Sequence, residues 1–497
     1  MWKALPGVLR GVAVCGFLVV VSAGSVLASE WHLQEWRKAN PSEGSAELPP
    51  SKALGRAWDG MMADLNLARA ALEDPWYYPA PASDRNLAEG YRYLMGHLHR
   101  IIESELHQSP EHPYFQRQLS RVAAYTLANA DTQYLFAPID AWGTYLVIGR
   151  AGPSAHWRGG KRPRKTDGLA PHYMVFETHT SELGDSGRLD EVTDGSHALV
   201  SAIDSSRIDI NKDGSFEILI SPNKPAGYEG NYLPSSVLAA DGRQLRANKL
   251  YIRELFADWE NESSPYLEIV KVGKAGEAPK AATAADTATE LRRVGQRVKH
   301  HTRFWNRLYA NLLEPFGDID GDGQRLMADN CFGEAVALNG GADQGVASHY
   351  VSGGTFELGA DEALLIEMDA PEAMYFSVQL ANFWGMPLDF ANHMTSLNHM
   401  QAHRSADKKF RFVVSAKDPG VANWLDTTGL QSGYLTMRSL WQQVPEAGAE
   451  TALTCQRVSM TELPALLPEN TPEVTELARR KQIMLRQQHV ARRYRQY

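Results

Sequence analysis

Three sets of side chains in this 497-residue sequence combine residue types that chemistry requires. The first is Asn129, Asp131 and Tyr134 with Asn231 and Arg253, answered later in the chain by Asn423 and Arg438. An arginine at one place on two strands aims a guanidinium at a fixed target. That target is a carboxylate or sugar-acid ligand held bidentately, or an internal Asp that pins a loop. The asparagines lie in Asn-Tyr-Leu and Asn-Trp-Leu turns, where an amide reads a ligand or tolerates a left-handed backbone. Recurrence in both halves is what a fold requirement produces, and it favours the structural alternative here.

The second set is polar and aromatic: Asn382, Trp384, Asp389, His393, Asn398, His399 and His403. The first half has no matching histidines. His393, His399 and His403 have the ligand atoms for a metal, and His399 and His403 share a face if the run is helical. Trp384 with Asn382 and a histidine equally makes a sugar-binding shelf, and His393 or His399 beside Asp389 makes a general base. The alternative is an exposed loop rich in histidine.

The third set is Asp318, Asp320 and Asp322 with Gly323 and, at loop position twelve, Asp329. Acids at one, three and five with Gly at six fit a calcium loop. Arg325 at position eight and the short Asp329 at twelve depart from that pattern, and Asp-Gly-Asp-Gly is also a good plain turn. Calcium is thus the one cofactor this reading admits; otherwise none is expected. The similar run Asp209 to Gly214 has Ile220 at its twelfth place and reads as a hairpin tip. A basic run from Arg158 to Lys165, beside His156 and Trp157, offers a site for an anion or a solvated loop. Motifs of serine hydrolases, zinc proteases, phosphate loops and dinucleotide sites are missing from the sequence.

The elements that must hold these groups follow two periods. Leu54, Trp58, Met61, Leu65, Ala68 and Leu72 step by three or four, predicting a helix that ends in a Pro-rich break. Asn86 with Glu89 reads as the cap of a second helix carrying Leu87, Tyr91, Leu94, Leu98 and Ile101. Pro113 opens a third, short one through Val122. Beyond it the period becomes two, in short strands such as Thr144 to Ile148, His172 to His179 and Phe216 to Ile220. The stretch Phe410 to Arg438 repeats Phe216 to Arg253, with Ser415 on Ser221, Pro419 on Pro225 and Asn423 on Asn231. A repeat of that length is a duplicated domain and not a solenoid.

The predicted fold is therefore mainly β with helical additions: two related antiparallel β-sandwich, jelly-roll-like modules behind a helical segment. The division reads 1–28 signal peptide, 29–50 leader, 51–125 helical segment and 126–262 first sandwich. A linker and helix fill 263–330, the second sandwich 331–458, and a basic helix 459–497, its start placed at Thr471-Pro472-Glu473. Such a terminal helix docks on its own domain, or meets an acidic partner or lipid headgroups.

Composition narrows the function classes. Lys3 and Arg10, an apolar run from Gly11 to Ala23 and Val26-Leu27-Ala28 form a secretory signal, placing the protein in the periplasm or outside the cell. Beyond it no stretch is apolar enough to span a bilayer. Loss of the signal moves the formal charge from −9 to about −11, against a nucleic-acid partner. Cys331 and Cys455 then remain, and in an oxidising compartment they pair or stay as separate buried thiols.

Asn129 to Asp140 (NADTQYLFAPID), Glu229 to Pro234 (EGNYLP) and the closing Leu250 to Trp259 (LYIRELFADW) resemble the bacterial DUF1214 family, a domain of unknown function. Its members show Asn-x-Asp-(Thr/Asn)-x-Tyr, an Asn-Trp-Leu-Pro turn and Leu-x-x-Arg. The strand Tyr375 to Leu380 resembles the second sandwich that accompanies that domain. The resemblance runs from about Trp58 to Val444; Tyr232 replaces the usual Trp, and Asp426 replaces Pro in the second turn. It implies a two-sandwich fold and brings no activity with it. The expected function is binding of a small sugar-like or carboxylated ligand between the modules. The alternatives are an enzyme on that ligand class with a His base, and a non-catalytic envelope assembly protein.

Overall fold

The computed structural model describes residues 49–74, 82–106, 109–162, 168–192, 196–313, 327–337, 346–443 and 453–495. The N-terminal segment read as a signal, and Asp318, Asp320 and Asp322, lie outside them. Among the described residues no helix is long and apolar enough to cross a membrane.

Helices α1 (Pro50–Ala70) and α2 (Asp84–Leu106) precede the strands, and α3 (Ala284–Leu313) returns from the middle of the chain to pack between them. Met61, Ala68, Ile101, Val294 and Val298 form their shared core. Gly295 lets α1 and α3 cross closely, because a Cβ there would lie 2.8 Å from Met61 Cα. Two expectations fail on the buried faces. Trp58 is exposed, and α2 buries Asn86, Gly90, Tyr93, His97 and Arg100 while Leu87 and Tyr91 face outward. Apolar periodicity marks the face that can be buried; here polar partners on other elements select a different one. The α2 cap is Ser83, whose Oγ accepts the Asn86 N–H.

The third predicted helix is absent. Residues 113–122 instead carry β1 (Gln116–Arg117), and Ser120 closes a turn through the N–H groups of Val122 and Ala123. The sheet edge offers this backbone partners that an isolated short helix would lack.

Further strands of the first module are β2 (Thr132–Pro138), β3 (Tyr145–Arg150), β4 (Tyr173–His179), β5 (Leu199–Asp204), β6 (Ser215–Ser221) and β7 (Asn231–Pro234). They continue as β8 (Ser236–Leu238), β9 (Gln244–Arg246), β10 (Lys249–Leu255) and β11 (Tyr266–Lys271). Sheets ordered β1-β2-β10-β4-β5 and β11-β3-β6-β7 enclose Tyr145, Phe176, Phe216, Ile218 and Ile252. The second module has β12 (Met327–Asp329), β13 (Val336–Ala337), β14 (Ser348–Glu357), β15 (Glu362–Asp369) and β16 (Tyr375–Ala381). It ends with β17 (Ser396–Asn398), β18 (Lys409–Ser415), β19 (Trp424–Asp426), β20 (Ser432–Trp441) and β21 (Leu453–Ser459). Its sheets, β12-β14-β20-β16-β17 and β19-β18-β15-β21, close on Phe356, Ile366, Val378, Phe412 and Leu435.

Both sandwiches follow one plan. The run β2-β10-β4-β5 matches β14-β20-β16-β17, and β11-β3-β6-β7 matches β21-β15-β18-β19. In each, the last pair named is parallel within an otherwise antiparallel sheet. The fold is thus mainly β, two antiparallel sandwiches behind a helical segment. A disulfide joins Cys331 to Cys455, tying the start of the second module to its end.

The chain closes with α4 (Glu476–Arg495), starting later than Thr471 because Glu473 bridges Val421 in the sandwich and Thr475 supplies the cap. Arg479 holds Asp418 of the second module, and Arg493 holds the Ala130 carbonyl of the first. Its arginines brace one module against the other.

Candidate functional site

The larger sheets of the two modules face each other across an apolar cluster that includes Tyr173, Val175, Leu255, Tyr375 and Leu440, with polar contacts beside it. Asp131, 1% exposed, makes several of these. One carboxylate oxygen accepts the Trp259 indole N–H at 2.8 Å and the Asn398 amide at 2.8 Å; the other accepts the Tyr375 hydroxyl at 2.5 Å. Asn129 bonds the same Tyr375 hydroxyl, at 3.0 Å, and its backbone N–H donates to the Tyr134 hydroxyl. Burial raises the Asp131 pKa above the usual carboxylate value, against the hydrogen bonds from Tyr375 and Asn398. With these lone pairs used, Asn129 and Asp131 clasp the modules together.

The arginines at matching places in the two modules take different partners. Arg253 on β10 pairs with Glu177 on β4, and Arg438 on β20 donates to the Leu127 carbonyl. Both act on His349 of β14, which burial first, then Arg253 and Arg438, push down to about 3. Burial opposes the charge on Glu177, but Arg253 and the His179 hydrogen bond outweigh it and hold that carboxyl well below its usual range. Arg253 keeps 32% of its side chain accessible, against 1% for Glu177. Glu177 Oε1, His349 Nε2, Arg438 Nε and Ser377 Oγ are buried without partners. Two guanidiniums whose charges bear on a neutral imidazole, with polar atoms left unpartnered among the described residues, are groups that a small anion would satisfy. His349 and Glu177 escaped the sequence reading. A lone acid inside the apolar strand His172 to His179 was the one available signal for Glu177.

Asn231 and Asn423 are latches. Asn231 accepts the Asp209 N–H at 2.7 Å and donates to the carbonyls of Asp209 and Glu217 at 2.9 Å each. Asn423 accepts the His403 N–H at 2.7 Å and donates to the carbonyls of His403 and Arg411, at 2.7 and 3.0 Å. Only Asn423 adopts the left-handed backbone, at φ 58°.

The histidine-rich run does not assemble as expected. Residues 393–403 form turns and β17, so His399 and His403 share no helix face. His393 pairs through Nδ1 with Asp426 at 2.8 Å, not with Asp389, whose carboxylate caps Ala391 and Asn392. His399 lies apart, edge-on to His172 and Tyr375 and lowered to about 4 by burial. Trp384 is 1% exposed, stacked on Tyr93 with its N–H on the Asn86 carbonyl, so it offers no shelf. Gly90 makes room for it; a Cβ there would lie 2.6 Å from the indole. Asn382 closes the turn beneath, accepting from Trp384 and Met386 and donating to Glu89. Asp329 is exposed at the end of β12, where Thr355 pairs with it.

Among the described residues one group has metal-ligand spacing, Glu182, Asp185 and His301. Arg100, Lys249 and Arg297 already hold Glu182 at 2.6, 2.8 and 2.7 Å, and Arg297 holds Asp185 at 2.8 Å. Three cations occupy the positions a metal would take, and the cluster reads as a buried ion-pair network between the helices and the first module.

Residues 190–244 match the family model described as "Protein of unknown function (DUF1214)". Of the motifs that carry the resemblance, only the Asn231 turn falls inside that segment. No curated protein matches the chain. Among solved structures, an uncharacterized protein from Burkholderia cenocepacia is similar at 23% identity and a TM-score of 0.65, over 83% of this chain and 99% of that one. A protein from Vibrio parahaemolyticus is similar at 12% identity and a TM-score of 0.37, over 80% of this chain and 100% of that one. The Burkholderia likeness extends to the fold, and the match within the first sandwich carries the resemblance to the DUF1214 family.

Proposed function

We propose that this protein binds a small carboxylated ligand in the cleft between its two sandwiches. The observation that carries the reading is that Arg253 and Arg438, at matching places in the two modules, both bear electrostatically on the buried His349, while Arg253 stays a third accessible. Two guanidiniums favour a carboxylate or sugar acid over a neutral sugar. The test is a thermal-shift and calorimetry panel of malonate, citrate and galacturonate against the mature protein. Binding that weakens about tenfold or more in both Arg253→Lys and Arg438→Lys supports the reading, since lysine keeps charge and loses the fork. No shift with any of the three acids sinks it.

A second reading, an enzyme on the same ligand class, is favoured by one contact. Asp426, largely buried, orients the half-exposed His393 ring through Nδ1 and leaves Nε2 toward solvent, as a general base requires. His393→Ala should then abolish turnover of a bound acid without moving Tm; unchanged turnover refutes it.

The location we infer is periplasmic or secreted, supported by the N-terminal signal pattern and the disulfide. N-terminal sequencing of exported protein should begin at Ser29, and an intact Met1 would contradict this. We also infer that the sandwiches arose by duplication, supported by their shared strand order and paired latches. Superposing the modules should bring Asn231 onto Asn423 and Arg253 onto Arg438; failure to do so would count against it.

A further inference from the structure

A cavity of about 810 Å³ opens between the two sheets of the first sandwich at its β11 edge, away from the inter-module cleft. It is within the size range of small-molecule sites. Phe115, Leu135, Leu267 and Ile269 supply apolar wall, while Glu254 and Gln133 bring polar atoms to it. Glu254 is 0% exposed. Its Oε2 accepts the Ser264 hydroxyl at 2.6 Å and the Gln133 amide at 3.3 Å. Its Oε1 and the Gln133 Oε1 have no partner among the described residues.

Two unpaired acceptors on adjoining buried side chains are destabilising when nothing donates to them. Among the described residues no ion pair reaches Glu254 directly; burial raises its carboxyl to about 7, against the Ser264 bond and the charges of Arg117 and Arg493. The lysines lining the cavity are already engaged, Lys271 by Glu111 and Lys274 by Glu277. The missing group is therefore a donor, and preferably a cation.

We propose that this cavity binds an amphipathic primary amine, its ammonium on Glu254 and Gln133 and its apolar body along Phe115, Leu135, Leu267 and Ile269. An ammonium offers three donors and no acceptor, which matches two bare oxygens. A hydroxyl offers one donor, and a carboxylate would set acceptor against acceptor. The test is isothermal calorimetry of the full mature chain at pH 8 with n-octylamine, n-octanol and octanoate, each below its aggregation limit. Octylamine should bind at least tenfold more tightly than octanol, with octanoate silent.

Glu254→Gln, which keeps a bond to Ser264, should weaken octylamine by tenfold or more. Leu267→Arg, at a half-exposed wall position, should do the same by charge and serves if the first variant fails to fold. Equal binding of octanol or octanoate, octylamine binding unchanged in either folded variant, or no heat with any probe would overturn the proposal. Arg253→Lys should leave octylamine binding intact, which separates this site from the inter-module cleft.

Discussion

Asn231 and Asn423 make the same three hydrogen bonds at corresponding points of the two sandwiches. Each amide clips a preceding loop by accepting its N–H at 2.7 Å and donating to its carbonyl, then donates to the neighbouring strand. The second donation reaches Glu217 on β6 and Arg411 on β18, strands that correspond in the two orders.

Truncating this latch strands three backbone groups. Asn423→Ala should cost about 2–4 kcal/mol, from lost hydrogen bonds and a left-handed backbone that alanine dislikes. Asn231→Ala, without the positive φ, should cost about 1 kcal/mol less. Urea midpoints of the two variants would rank them, and neither change should alter ligand binding at the arginine cleft.

The disulfide spans 124 residues. Closing a loop of that length restricts the unfolded chain by roughly 4–5 kcal/mol in the entropic account. The double variant Cys331→Ala/Cys455→Ala should lose about 2–5 kcal/mol in denaturant titration. Reducing agent should lower the wild-type midpoint and leave that of the double variant unmoved.

His97 is fully buried between Tyr93 and Tyr125, and neither ring nitrogen has a partner. Burial holds its pKa well below 6.5. The folded ring stays neutral while the unfolded one takes a proton below about 6.5, so this stability exists above that pH and is lost on acidification. His97→Phe keeps the ring, removes two unsatisfied atoms and should stabilise by about 1 kcal/mol at pH 7. Its advantage should grow as pH falls from 6.5 to 4.5. A gap between the two stability curves that stays constant over that range would show that His97 does not titrate differently on unfolding.

Helix α4 supplies Arg486 to the Ser396 carbonyl and hydroxyl, and Arg493 to the Ala130 carbonyl, from the two modules. Deleting 478–497 should therefore lower Tm and expose Trp259, read as a red shift in tryptophan emission. The milder Arg493→Met keeps most of the volume and should cost about 2–3 kcal/mol by leaving a buried carbonyl unpaired. A deletion that melts like the wild type would mean the helix only rests on the surface.

Much of the scaffold was legible because it depends on local pattern. Period-two apolar runs marked β3, β4 and β6, and the repeated stretch marked strands that hold matching places in the two strand orders. The pairing of Cys331 with Cys455 was one of two alternatives that spacing left open. Boundaries and faces were less legible. Residues 113–122 became a sheet edge, and α2 turned a polar face inward, because distant partners outbid local propensity there.

The site depended on tertiary structure for the same reason. Residue types named Arg253, Arg438 and Asp131 as worth watching, since duplicated arginines and a buried motif acid show in one dimension. That Asp131 is consumed by Tyr375, Asn398 and Trp259, that His393 meets Asp426 instead of Asp389, and that the charges of both arginines bear on His349 follow from sheet-on-sheet packing. Glu254 is the sharpest case: beside Arg253 in sequence, it points to the opposite face of β10, into the sandwich. Alternation along a strand is set by the backbone and can be read from sequence; which face meets a cavity, and what is missing there, is settled only when two sheets close around it.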